Sequence, residues 1–115
     1  SKYFSKEDGI EAVNTLFSDS VAPDAIICDS HSITIGVILK LREKGLDIPN
    51  DVGLIGHGAN IDNLVITPKV TAIIQPEEEI AQRVYELLLK SIQNKGKLAN
   101  ETVVIPASII KRDSC

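Results

Sequence analysis

The chain has 115 residues, 43% of them hydrophobic, a formal net charge of −4 and a pI near 5.1. That is long enough for one modest domain with a core and too apolar for a disordered tail. An acidic chain with no Lys/Arg cluster, no Trp, and only two Tyr and two Phe is a poor nucleic-acid binder by itself. No apolar run approaches membrane-span length and no signal-peptide pattern opens the chain, so no membrane partner is expected. It begins at Ser1 rather than Met, as a piece of a longer polypeptide would.

Taken in chain order, Ser5 and Asp8 have the spacing of a helix-capping box, and Ile10, Val13, Leu16 and Phe17 then share one helical face. After a turn at Pro23 and Asp24, Ala25-Ile-Ile-Cys28 is a continuous apolar run, as in a strand covered on both faces. Residues 32–44 read as a helix starting at Ser32 and stopping at Gly45. A turn around Pro49 leads to a second buried strand, Val52–Gly56, and a loop over 57–69 that ends after Pro68. Val70–Ile74 is a third strand. Pro76 opens a helix running to about Asn94, with Glu77, Glu78 and Glu79 complementing its N-terminal dipole. A last extended stretch, Thr102–Ile110, is broken by Pro106. Apolar strands alternating with helices predict an α/β fold: a mostly parallel sheet with helices on both faces.

The two long helices differ. The later one has one apolar half (Ile80, Val84, Leu87, Leu88, Ile92) and one polar half, the pattern of an ordinary surface helix. In the helix over 32–44, Ile33, Ile35, Val37, Ile38, Leu39 and Leu41 spread over roughly two-thirds of the wheel. The surplus face needs a cover, either another part of the fold or a second subunit.

In a parallel sheet, ligands bind outside the carboxyl ends of the strands. Asp29-Ser30-His31 and His57-Gly58-Ala59-Asn60 both follow strands, so both belong to one rim. Asp29, Ser30 and His31 contain triad chemistry, but adjacent residues cannot relay through their own side chains, and no G-x-S-x-G elbow presents a serine. "GHGANI" begins like a dinucleotide fingerprint, but Ile61 stands where its third glycine belongs. Two histidines without a third ligand do not make a metal site. Cys28 reads as a small buried hydrophobe and Cys115 as a chain end; with no CxxC spacing, neither a metal nor a cofactor is expected, and a reducing, cytoplasmic setting fits.

The segments "PDAIICDSHSITIGVILKLREKGLDIPNDVGLIGHGAN", "PKVTAIIQPEEEIAQRVYELLLKSI" and "VVIPASIIKRDS" together resemble the effector-binding region of LacI/GalR-type bacterial transcription regulators, which has a periplasmic-binding-protein-like (type I) fold. The match runs over nearly the whole chain but less than half of such a regulator. The resemblance implies a regulator or repressor and not an enzyme. It implies a small-molecule effector (a sugar or sugar phosphate), a homodimer, and DNA contacts made only by an upstream domain. It assigns residues 1–74 to the C-terminal lobe, 75–101 to a crossover helix of the N-terminal lobe, and 102–115 to a closing strand and tail. Asp29, Ser30, His31, His57, Gly58, Asn60 and Gln75 become effector contacts; Ile35, Leu39 and Ile66 become dimer contacts. A solute-binding component of a transporter with the same fold is the alternative. The chain departs from the family where an Asn-Asp or Thr-Asp pair is usual (here Ser30-His31) and where an effector-contacting Asp is usual (here Gly58). Those changes point either to another ligand, such as an anion, or to a lost site.

Overall fold

The computed structural model describes residues 4–18, 21–58, 65–93 and 102–115. They form helices α1 (Lys6–Leu16), α2 (His31–Glu43) and α3 (Glu77–Gln93), and strands β1 (Ala25–Ile27), β2 (Gly53–His57), β3 (Thr71–Ile74) and β4 (Ser108–Ile110). The sheet order is β1-β2-β3-β4, with β1–β2 and β2–β3 parallel. This is the α/β class expected from the sequence. The chain divides into two compact units, Ser1–Ile74 with Ile109–Cys115, and Gln75–Ser108.

The first unit holds the core. Its α1 starts at the expected capping box: Ser5 Oγ accepts from the Asp8 N–H at 3.2 Å, and the Asp8 carboxylate accepts from the Ser5 N–H at 2.7 Å. The cap of α2 is Ser30 rather than Ser32. Ser30 Oγ accepts from the Ile33 N–H at 3.3 Å, which starts the helix at His31 and leaves Ser32 inside its first turn. Gly45, at φ +73°, ends it.

Part of the surplus apolar face of α2 is covered within the fold, by α1. The two helices meet backbone to backbone at Gly9 and Gly36: a Cβ on Gly36 would lie 2.0 Å from the Lys6 carbonyl oxygen and 3.1 Å from Gly9 Cα. Val13 of α1 joins Val37, Ile38 and Leu41 of α2 and Val52, Leu54 and Val70 in one buried cluster. Leu39 stays 46% exposed, and Ile35 is half-buried.

In β2, the buried residues Leu54 and Gly56 alternate with half-buried Gly53, Ile55 and His57, so one side of this strand faces the core. The expectation of burial on both faces fails at β1. It is an edge strand, and Ile27 is 69% exposed. An apolar run of three or four residues has the same composition at an edge as in a sheet centre. Of the predicted extended stretch 102–110, only Ser108–Ile110 is strand. The tail that follows ties the sheet at its amino end. Ser114, fully buried, accepts from the Thr71 N–H (2.8 Å) and donates to the Leu54 carbonyl (2.6 Å), and its own carbonyl accepts from the Leu54 N–H (2.8 Å).

In the second unit, α3 carries the three glutamates in its first turn and buries none of its residues. Its apolar half, which periodicity predicts to be packed, stays open at Val84, Tyr85, Leu88 and Ile92. Within this unit Val103 and Ile105 line a groove with Ile80, Arg83, Val84 and Leu87. No helix among the described residues is long and apolar enough to cross a membrane.

Candidate functional site

The carboxyl ends of the parallel strands bring the two polar breaks to one rim. Ile27 pairs with Ile55 and His57 with Ile73, so β1 ends two residues before β2 does. Into that step comes the first turn of α2. Asp29 is exposed, Ser30 caps the helix, and half-buried His31 is its first residue. Half-buried His57 ends β2. Gly58 donates its N–H to the Ile73 carbonyl at 2.9 Å and has φ +95°, a backbone that L side chains rarely adopt. The turn itself therefore favours glycine where the resemblance leads one to expect an aspartate. Asn60 lies outside the described residues. Gln75 directly follows β3 and opens the second unit, where its carbonyl accepts from the Glu77 N–H at 2.9 Å.

A residue that sequence reasoning passed over joins the two breaks. Thr34 is fully buried. Its Oγ1 donates to the Ser30 carbonyl at 2.8 Å and accepts, at a long 3.4 Å, from the His57 N–H. It reaches β2 because Gly56 has no side chain there: a Cβ at Gly56 would lie 2.7 Å from Thr34 Cγ2 and 3.0 Å from Val70 Cγ1. The available signal was a hydroxyl within an otherwise apolar helical run, four residues after a capping serine.

Cys28, the residue before Asp29, is buried as expected. Burial pushes its thiol up to about 11; the Thr34 hydroxyl offsets part of that rise, and the charge of Asp29 adds to it. It is a neutral thiol at physiological pH and a poor nucleophile. Among the described residues no three of His, Cys, Asp and Glu come together as a metal site. The rim thus carries an exposed carboxylate and two half-buried imidazoles, chemistry for hydrogen-bonding a polar small molecule.

Of the residues named for a subunit contact, Ile35 and Leu39 lie one helical turn apart on α2. Arg42, a further turn along, donates from its guanidinium to the Thr67 carbonyl, which fastens the 65–68 segment beside α2. Ile66 in that segment packs partly against the core, and its neighbour Val65 is exposed.

Residues 2–115 match the family model of the periplasmic binding protein-like domain. The chain belongs to that family. Its relatives include the HTH-type transcriptional repressor PurR of Histophilus somni (29% identical over 110 residues, 96% of this chain and 33% of the relative). Another is the HTH-type transcriptional regulator RegA of Clostridium acetobutylicum (33% over 108 residues, 94% and 32%). Among solved structures it is similar to a LacI family transcriptional regulator from Enterococcus faecalis with bound ribose, at TM-score 0.84 and 28% identity, over 97% of this chain and 41% of that one. The ribose-bound LacI family regulator from Enterococcus faecium is similar at TM-score 0.81 and 31% identity, over 96% and 40%. The resemblance to LacI-type regulators seen in the sequence therefore holds, and the chain spans about a third of the length of the curated relatives named.

Proposed function

We propose that this chain is the effector-binding and dimerisation part of a LacI-type transcriptional repressor. It acts in the cytoplasm, is not an enzyme, and touches DNA only through another part of the polypeptide. The family match over residues 2–115, with relatives named as a transcriptional repressor and a transcriptional regulator, carries this reading. The same names speak against a transporter's solute-binding component. The acidic composition supports leaving DNA contact to another domain.

Residues 1–74 constitute the C-terminal lobe, 75–101 the crossover helix of the N-terminal lobe, and 102–115 the closing strand and tail. Asp29, Ser30, His31, His57 and Gly58, with Asn60 and Gln75, are the effector contacts. The effector is a sugar or sugar phosphate; ribose bound in two similar regulators supports the sugar class. Binding favours one lobe arrangement and shifts the population of DNA-competent dimers. Ile35, Leu39 and Ile66 supply the apolar part of the dimer contact.

Calorimetry of the complete regulator against ribose, ribose 5-phosphate and an unrelated polyol tests the site. Saturable binding of either pentose ligand that weakens in a His57→Ala variant is expected. Equal response to all three, or none to any, refutes the assignment.

A further inference from the structure

We propose that Thr34 is a positioning residue that couples the two rim loops, so that Ser30-His31 and His57-Gly58 keep a fixed spacing. The inference rests on reading this rim as the effector site, and it adds a residue that lies beneath the ligand surface.

Three observations carry it. First, the His57 N–H lies beyond the last β1–β2 pair, Ile27 with Ile55, and is taken instead by a side chain, Thr34 Oγ1. Second, the same oxygen donates to the Ser30 carbonyl, at the residue that caps α2 and precedes His31. One hydroxyl, with one proton and two lone pairs, thus serves both loops at once. Third, the fit is built from both sides. Thr34 is fully buried, and Gly56 leaves the room its methyl fills. A hydroxyl buried between a helix and a strand costs free energy unless its bonds are made, so the arrangement that makes both is favoured. A methyl in its place would fill the same volume and hold neither loop.

The test uses the intact polypeptide and three variants: Thr34→Val, which keeps the shape; Thr34→Ser, which keeps the hydroxyl; and Thr34→Ala, read if Thr34→Val does not fold. Amide hydrogen exchange is followed by NMR without ligand. In Thr34→Val, exchange at His57 should accelerate roughly tenfold, the scale of one lost hydrogen bond. The Ser30–Ile33 amide shifts should move with it, while Leu54 and Ile55 keep the parent's exchange rates. Thr34→Ser should restore the parent pattern. Unchanged exchange at His57 in Thr34→Val, acceleration spread evenly along β2, or a Thr34→Ser variant indistinguishable from Thr34→Val would overturn the proposal.

A second arm titrates ribose into parent and variants, where Thr34→Val should bind several-fold more weakly and Thr34→Ser should not. Parent-like ribose affinity in a Thr34→Val variant whose His57 exchange has accelerated overturns the positioning role. A parent that takes no ribose counts against the sugar reading alone, because the exchange experiment contains no ligand and decides the coupling by itself.

Discussion

Replacing Ser114 with alanine should destabilise the first unit out of proportion to the one oxygen atom removed. The side chain is fully buried and makes two bonds to the backbone of different strands: it accepts from the Thr71 N–H at 2.8 Å and donates to the Leu54 carbonyl at 2.6 Å. Alanine removes both and leaves a space smaller than a water molecule needs, so solvent cannot stand in for the hydroxyl. An unmade bond at a buried polar group costs about 1–3 kcal/mol. Two together predict about 2–6 kcal/mol, a large fraction of the stability of a small domain. Asp113→Ala is the matched control. The Asp113 side chain is exposed, and the N–H it gives to the Lys69 carbonyl survives in alanine, so the change should stay within about 0.5 kcal/mol. Urea unfolding should show a lower midpoint at unchanged m-value for Ser114→Ala and a parent-like curve for Asp113→Ala. A Ser114→Ala midpoint equal to the control's would refute the tie.

Gly36→Ala should destabilise despite alanine's better helix propensity. The propensity gain of about 1 kcal/mol is opposed by a Cβ placed 2.0 Å from a backbone oxygen of α1, which forces the helices apart and loosens Val13; thermal unfolding checks the sign. Acid should loosen the first turn of α1. The Ser5 N–H, and then its hydroxyl, hold the Asp8 carboxyl below its ordinary value, so the stabilisation is fully present above about pH 4 and is lost as pH falls through the lower folded-state value. Helical exchange protection at Asp8 and Gly9 followed from pH 5 to pH 2 checks this; Asp8→Ala should abolish the pH dependence, and Ser5→Ala, which keeps the backbone N–H, should only reduce it. Ile35→Asp should place a charge in the proposed dimer contact and dissociate the complete regulator in sedimentation velocity; a variant that remains as dimeric as the parent removes Ile35 from that contact.

Local features were legible in the residues because they depend on near neighbours. Ser5 and Asp8 gave the capping box of α1, Gly45 the stop of α2, and alternating apolar runs the parallel sheet. The misreadings concern relations between distant segments. Ser30 and Ser32 both precede the apolar run of α2, and only the path of the chain from β1 decides which one caps it. The apolar surplus of α2 was visible, but periodicity counts apolar residues without saying what lies opposite. The partner turned out in part to be α1, approached through two glycines that contribute nothing to an apolar pattern. At the rim, His31 and His57 stood out because they are titratable. Thr34 did not, because a threonine in a helix usually satisfies itself on a carbonyl one turn back. It does that here with Ser30, and its second bond, to His57, spans 23 positions.

The two ends of this sheet are fastened differently. At the amino end, Ser114 makes contacts of 2.6–2.8 Å to strands β2 and β3, all buried and reinforced by the Arg112 N–H on Thr71 Oγ1 at 2.8 Å. Toward the carboxyl end, Thr34 Oγ1 of α2 accepts from the His57 N–H of β2 at a long 3.4 Å, beside the 2.9 Å bond from the Gly58 N–H to the Ile73 carbonyl. A hydrogen bond of 3.4 Å is weaker than one of 2.8 Å. Leu54 and His57 are only about 10 Å apart along one strand, so the contrast is drawn over a short distance. A parallel sheet places its ligand loops at the carboxyl end. Under the proposed function, an effector that bridged Ser30-His31 to His57-Gly58 would span the same two loops that Thr34 Oγ1 joins. Such an effector would shift the balance between arrangements only by as much as it binds one of them better than the other.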